Sequence, residues 1–275
     1  MFDIQLDDGL DNYCVMGNPI AHSKSPDIHH AFALQTGQKI HYHAVLVPVG
    51  EFPRAVARFQ ELGGKGINIT VPYKEDAWEL ADIRTERAEQ AGAVNTLWFD
   101  AQGRRHGDNT DGAGLLADLR RNGMEIKDRR LLILGAGGAV RGIIPALMRY
   151  SPARVLIANR TPANAEKLSR QFPGFPSLAC SDFAGLEHEG DFDLVINGIP
   201  AGLTAALPPL PAGLVNAQSC CYDLVYAESD TPFVSWARGH GVHRVRDGLG
   251  MLVEQAAEAF FIWRGVRPET EPVIR

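Results

Sequence analysis

The sequence predicts an α/β protein in two domains, and three observations carry that prediction. Arg130-Leu131-Leu132-Ile133-Leu134 runs straight into Gly135-Ala136-Gly137-Gly138-Ala139, and a helical pattern follows. An apolar run without alternation reads as a parallel strand covered on both faces. Apolar runs at 154–158 and 192–196 then supply partners for it in one parallel sheet. A separate set of strand and helix signals precedes residue 111, and 275 residues at 45% hydrophobic content suffice for one large or two medium domains.

The glycine loop is the most informative stretch. Gly135 allows a tight turn, and Gly137 lets the backbone approach a ligand with no Cβ in the way. The free N–H groups and the positive dipole end of the following helix then face a pyrophosphate. Val140 stands where the strict fingerprint wants Gly or Ala, so the match is to G-x-G-G. A strand before the loop and a helix after it predict a dinucleotide site rather than a purely steric glycine turn.

Composition narrows the rest. A net charge of −6 leaves no basic footprint for nucleic acid. The acidic start, Met1-Phe2-Asp3-Ile4-Gln5-Leu6-Asp7-Asp8, lacks the basic and apolar regions of a signal peptide. No uncharged apolar stretch approaches the ~20 residues of a membrane span. Of the four cysteines, the adjacent Cys220 and Cys221 suit neither a routine disulfide nor a C-x-x-C metal clip, and Cys14 and Cys180 are scattered. Reduced, mostly buried thiols in a cytoplasmic protein follow. His22, His29 and His30 lack metal spacing and read as surface or helix residues, so no metal is expected.

In chain order, residues 13–17 read as a strand running into a glycine turn, and Pro26 suits the first turn of a helix after the polar loop 18–26. Ser25 takes the N-cap position of that helix. Ser23 has no such structural duty, and two hydroxyls in one loop suit a polyol or a carboxylate. Residues 41–49 form a second strand and 51–62 an amphipathic helix ended by Gly63-Gly64. Ile67, Ile69 and Val71 alternate in a strand that Pro72 terminates. Asn68, Thr70 and Lys74 thereby gather near a carboxyl end, where open α/β sheets put their ligands. Residues 79–91 read as one helix, and 92–98 as a strand carrying the polar pair Asn95-Thr96. An asparagine in an apolar run is costly to bury unpaired, so Asn95 needs a defined partner. Gly103 marks a hairpin. Asp108, Thr110 and Asp111 serve as turn and cap residues for a helix over 112–121, or one of the two carboxylates faces Lys74.

Beyond the glycine loop, residues 154–161 form the second strand of the βαβ unit. Its end, Asn159, lies 24 residues past Gly135, where an NAD site places an acid on the ribose 2′-hydroxyl. Asn159-Arg160-Thr161 stands there instead. A carboxylate repels a 2′-phosphate, whereas guanidinium, amide and hydroxyl groups hydrogen-bond one, so NADP is favoured over NAD. A third parallel strand covers 192–197, followed by the turn Gly198-Ile199-Pro200. Pro208, Pro209 and Pro211 make an extended connection, and 221–226 and 242–245 supply two more strands. An amphipathic helix over 251–264 carries Gln255, and its apolar residues read as core.

With these residues in place, the sequence resembles the shikimate dehydrogenase (shikimate/quinate dehydrogenase) family. The matching motifs are GNPIAHSKSP (17–26), NITVPYK (68–74), AGAVNTL (91–97), GDNTDGAG (107–114), GAGGAVRG (135–142), NRT (159–161), YDLVY (222–226) and DGLGMLVEQAA (247–257). They run in order along nearly the whole chain, and their intervals fit; no single one is specific. The resemblance implies reversible NADP-linked reduction of 3-dehydroshikimate to shikimate in aromatic amino-acid (chorismate) biosynthesis. It implies an α/β substrate domain over 1–111, a Rossmann-type parallel-sheet NADP domain over 112–248, and a C-terminal helix (249–275) returning to the first domain. Lys74 and Asp111 are then the catalytic pair. Ser23, Ser25, Thr70, Asn95, Tyr222 and Gln255 hold the substrate. Gly135, Ala136, Gly137, Gly138, Ala139, Asn159, Arg160, Thr161, Leu224 and Gly248 hold the cofactor. The implied partner is a small-molecule substrate, with no nucleic acid or membrane, in a monomer or homodimer.

Residue chemistry fits these roles. Ketone reduction develops negative charge on oxygen; an ammonium supplies both field and proton, and a nearby carboxylate keeps it oriented and charged. Either Lys74 exchanges the proton itself, or it stabilises charge while Asp111 or a water does so. Two departures from the family pattern stand out. Asn197-Gly198-Ile199-Pro200 replaces the frequent Asn-Ala-Thr-Ser, removing hydroxyls from a loop that approaches the nicotinamide in the family. Asn164 replaces a second basic residue after Asn-Arg-Thr, so NADP selectivity rests on Arg160. The competing readings are an NAD-using quinate/shikimate dehydrogenase and a non-catalytic ligand-binding paralogue. The Ser23/Ser25 pair and the missing acid argue against the first; intact Lys74, Asp111 and Gln255 argue against the second.

Overall fold

The computed structural model describes residues 2–199 and 207–274. The chain folds as two compact units, one of residues 1–115 with 252–275, the other of 116–251. The fold class is the α/β class expected from the sequence.

In the first unit the strands are β1 (Asp11–Gly17), β2 (Ile40–Leu46), β3 (Gly66–Ile69), β4 (Ile83–Arg84), β5 (Thr96–Phe99) and β6 (Arg105–Asp108). They alternate with α1 (Ser25–Thr36), α2 (Phe52–Glu61), α3 (Lys74–Leu80) and α4 (Glu86–Ala91), and α5 (Asp111–Arg121) follows β6. The sheet order is β2-β1-β3-β5-β6-β4. β1 runs parallel to β2 and β3, whereas β5 is antiparallel to both β3 and β6. Asn68 therefore lies opposite Thr96, and Thr96 opposite Asp108. That register puts the carboxyl ends of β1, β3 and β6 and the amino end of β5 on one edge of the sheet. Phe52, Ala55, Val56 and Phe59 recur at helical spacing on α2 and are buried against Met16, Ile67, Ile69 and Leu97 of the strands.

Several local expectations are corrected here. The single helix expected over 79–91 is broken: Ala81 is extended, β4 pairs with β6, and Thr85 caps α4 by accepting from Ala88 N. Tertiary pairing overrides helix propensity, because Asp82 N donates to Arg105 O while its carboxylate accepts from Arg105 N and from the guanidinium. The strand expected over 67–71 stops at Ile69, leaving Val71 exposed. His29 is on a helix, but it is fully buried rather than on the surface.

The second unit is built on six parallel strands, β7 (Arg130–Leu134), β8 (Arg154–Ala158), β9 (Leu178–Ser181), β10 (Leu194–Asn197), β11 (Cys220–Asp223) and β12 (Arg244–Arg246). Helices α6 (Gly138–Met148), α7 (Pro162–Ser169) and α8 (Pro232–Gly239) connect them. The order β12-β11-β10-β7-β8-β9 reverses at β7, so the loops after β7 and β10 flank the topological switch point. Sequence patterning does not reveal β9, an edge strand whose four residues are all half-buried and show no alternation.

Helices α9 (Leu249–Arg264) and α10 (Glu271–Ile274) complete the chain. From Leu252 onward α9 belongs to the first unit, as the family resemblance implied. Trp263 Nε1 donates to Leu97 O at 3.1 Å, and Arg264 donates to Asp11 and Gln38. Among the described residues no helix is long and apolar enough to cross a membrane.

Candidate active site

The shared edge of the first sheet collects the chemistry. Lys74 opens α3, and its carbonyl accepts from Val94 N at 2.8 Å, which ties the helix start to the segment leading into β5. A cation in the first turn of a helix opposes the helix dipole, a local rule broken where function has another demand. The ammonium donates to Asp111 Oδ2 at 2.6 Å, with side-chain exposures of 13% and 5%. Asp111 opens α5, where the dipole favours a carboxylate.

Asn95 holds the other oxygen of Asp111, donating to Oδ1 at 2.8 Å. Its own side-chain oxygen accepts from Thr110 N at 2.9 Å and from the Thr96 hydroxyl at 2.9 Å. Gln255 on α9 completes the cluster, its Oε1 lying 3.2 Å from Asn95 Nδ2 and 3.3 Å from Thr110 Oγ1. Asn95 has the defined partner that burial in an apolar run demanded.

The two carboxylates left open by the sequence are now distinguished. Asp108 accepts from Arg87 Nε and Thr85 Oγ1, each at 2.6 Å, and so pins the loop to the start of α4. Asp111 alone meets Lys74. Asn109 bridges the two, its backbone N donating to Asp108 Oδ1 and its side-chain oxygen accepting from Asp111 N.

Ser23 and Ser25 follow β1 and Thr70 follows β3, all on the same edge. The two serines exchange their expected duties. Lys24 precedes the helix without a side-chain cap, Ser25 is its first residue and 6% exposed, and Ser23 Oγ accepts from Ser25 N at 3.3 Å. Tyr222 is fully buried in the second unit; its hydroxyl donates to Asp118 Oδ2 at 2.7 Å and accepts from Met251 N. Sequence reasoning did not point to Thr96, Thr110 and Asp118 as site residues; the hydroxyl beside Asn95 in an apolar run was the signal for Thr96.

In the second unit, Gly135 has φ +99°, a left-handed conformation that needs glycine, and Gly138 starts α6 shortly after it. Gly137 precedes α6 with no side-chain cap, and a Cβ there would meet no atom within 4 Å. Packing does not demand glycine at this position, so the loop fits a phosphate cradle formed by backbone and helix N-terminus. Ala136 and Ala139 flank it, both part-buried. Asn159 Nδ2 donates to Thr161 O at 2.9 Å, and Arg160 is exposed at the end of β8. Leu224 lies against Gly198, and Gly248 N donates to Val225 O. Val140 occupies the space that a side chain at Gly198 would need, so the small residue the fingerprint seeks on the helix stands on the neighbouring loop. Ile199 is part-buried, and Pro200 of the departing turn lies outside the described residues.

Known proteins match the chain over nearly its whole length. The model of the shikimate dehydrogenase substrate binding domain matches residues 15–97, that of shikimate / quinate 5-dehydrogenase matches 117–201, and that of the shikimate 5'-dehydrogenase C-terminal domain matches 248–275. The shikimate dehydrogenase (NADP(+)) of Alkalilimnicola ehrlichii is 58% identical over 265 residues, 96% of this chain and 97% of its own. That of Marinobacter nauticus is 54% identical over 96% of both chains. The crystal structure of shikimate 5-dehydrogenase from Thermus thermophilus in complex with NADP(H) and shikimate superposes with a TM-score of 0.85 at 33% identity, covering 96% of this chain and 97% of that one. Identity of this order over almost the full length of both chains, on the same two-sheet architecture, places the chain in the shikimate dehydrogenase family.

Proposed function

We propose that the chain is an NADP-dependent shikimate dehydrogenase that reversibly reduces 3-dehydroshikimate to shikimate in aromatic amino-acid biosynthesis. The observation that carries this reading is the Lys74–Asp111 pair at 2.6 Å, on the sheet edge that also bears Ser23, Ser25, Thr70 and Asn95. NADP, when bound, supplies or accepts the hydride. The ammonium of Lys74 donates to the substrate oxygen as charge develops there, and Asp111 keeps it charged and aimed. In the oxidative direction the same pair receives the hydroxyl proton. Ser23 and Ser25 bind the carboxylate, and Thr70, Asn95 and Gln255 bind the hydroxyls.

The backbone of residues 135–139 holds the pyrophosphate, with Leu224 and Gly248 against the same edge. Asn159, Arg160 and Thr161 hold the 2′-phosphate, and an exposed guanidinium with no carboxylate at that strand end supports NADP over NAD. Tyr222, its hydroxyl held between Asp118 and Met251 N, is the tyrosine that the family resemblance puts at the substrate. Four free cysteines support a reducing, cytoplasmic setting, and the protein works as a monomer or homodimer.

Initial rates with shikimate and quinate, each with NADP+ and NAD+, test the reading. Shikimate with NADP+ is the expected best pair. Equal rates on quinate with NAD+ preferred would transfer the chain to the quinate-using reading, and inactivity on all four pairs would leave the non-catalytic one.

A further inference from the structure

Next to Asn95 lies a buried row of polar side chains. Thr96 is fully buried at the start of β5, Asn68 faces it from β3 at 5% exposure, and Tyr42 on β2 is 1% exposed. A single backbone N–H sets the direction of every bond in the row. Thr110 N donates to Asn95 Oδ1 at 2.9 Å, which identifies that end of the amide as oxygen and aims Nδ2 at Asp111. Thr96 Oγ1 sits 2.9 Å from the same oxygen, so Thr96 must donate. Its lone pairs then accept from Asn68 Nδ2 at 3.2 Å, whose other neighbour, the Asn95 backbone carbonyl at 3.3 Å, is again an acceptor. Asn68 Oδ1 is left for the Tyr42 hydroxyl at 2.8 Å. Burial pushes that hydroxyl well above its ordinary pKa, so it keeps its proton and donates. Every hydrogen in the row Tyr42–Asn68–Thr96–Asn95 points toward the carboxylate of Asp111.

We infer that Thr96 is a positioning residue of the reaction: its hydroxyl, backed by Asn68 and Tyr42, locks the Asn95 amide with its N–H on Asp111. The inference rests on Lys74 and Asp111 being the catalytic pair. Hydrogen bonds in such a chain polarise one another, and donors aimed at an anion stabilise it. Without the Thr96 hydrogen the amide loses one of the donors that hold its oxygen away from Asp111, and the carboxylate loses part of its support. The charged group facing Asp111 is Lys74 of α3. Asn95, Thr110 and Gln255 around it are neutral, and Asp108 is held by Arg87.

The near-isosteric Thr96→Val tests this, with Thr96→Ser as the variant that restores the hydroxyl. In Thr96→Val, kcat is expected to fall about ten- to hundredfold, the range for orphaning a hydrogen-bonded buried group. KM for NADP+ is expected to stay within about threefold, and KM for shikimate to rise by less than kcat falls, since Asn95 also binds substrate hydroxyls. Thr96→Ser returns kcat toward wild type. Tyr42→Phe, which removes the first donor and keeps the ring, lowers kcat by less. Wild-type kcat in Thr96→Val would sink the inference, as would a Thr96→Ser variant no better than Thr96→Val, since packing alone would then explain the loss. Should Thr96→Val fail to fold, a Tyr42→Phe variant with wild-type kcat overturns the inference just as well, and one in which kcat falls by more than KM for shikimate rises supports it. A wild-type chain inactive on shikimate removes the reading of the catalytic pair and the inference together, whereas an active one separates them.

Discussion

Asp108 and Asp111 stand three positions apart in one loop, and their partners give them opposite duties. Asp108 is 3% exposed and holds Arg87 and Thr85, a structural duty; Asp111 holds Lys74, the proposed proton carrier. Asp108→Asn is expected to destabilise the fold by about 3 kcal/mol, near the low end for breaking a buried pair, as read by denaturant melting. Asp111→Asn breaks a pair at least as buried, so it is expected to cost stability to a similar extent and in addition to lower kcat by about a hundredfold or more, with Lys74→Ala lowering kcat alike. Near-normal turnover in Lys74→Ala would remove that lysine from the mechanism. At the cofactor site the residue scale gives Arg160→Ala. With Asn164 in place of a second cation, kcat/KM for NADP+ should fall about ten- to hundredfold while that for NAD+ holds, the loss of one charge-assisted contact. Equal losses for both cofactors would place Arg160 elsewhere than at the 2′-phosphate.

Between neighbouring elements, the Val140/Gly198 exchange shows how a rule can hold while its letters move. The dinucleotide fingerprint asks for a small residue on the helix after the glycine loop because helix and sheet approach closely there. In this chain Val140 fills the gap, and a Cβ on Gly198 would run into its Cγ2 and into the Leu134 carbonyl. Val140 is β-branched and on α6, so its χ1 cannot turn away. Gly198→Ala should therefore cost about 1–3 kcal/mol as an overpacked site, and adding Val140→Ala should recover most of it. Additive losses in the double variant would show that the two positions do not share the space. The elements legible in the sequence were those with a local cause. Leu131–Leu134 is a run covered on both faces, and Phe52 to Phe59 carries one buried stripe. What escaped was decided by distant partners: β4 forms because Asp82 meets Arg105, 23 positions away. The same holds inside the site, where Asn95 meets Gln255 across 160 positions. Polar residues in an apolar context announced that partners exist without saying which.

Over the whole molecule, the pH dependence of stability follows from histidines the fold keeps neutral. Burial pulls His29 from its ordinary value down to about 3, and burial with the neighbouring His41 pulls His43 down to about 4. In the unfolded chain both titrate near 6.5. As pH falls below that value the unfolded chain binds protons that the folded chain refuses, so stability present above pH 6.5 is lost on acidification. The slope for His29 is about 1.4 kcal/mol per pH unit. His43 adds in the same sense with less weight, being half-buried. Asp82, held at about 2 by the Arg105 guanidinium, acts only below the ordinary carboxylate range and so adds little between pH 6.5 and 4.5, where the two histidines act. His29 stacks on Tyr42 with ring centroids 4.2 Å apart, and among the described residues neither ring nitrogen has a hydrogen-bond partner. His29→Phe removes the proton site and keeps an aromatic ring in the stack. Urea denaturation at pH 6.5 and 4.5 should show the variant losing about 2–3 kcal/mol less than wild type over that interval. Identical losses in the two proteins would mean that His29 takes up its proton in the folded state, and that the aromatic cluster around it is open to water.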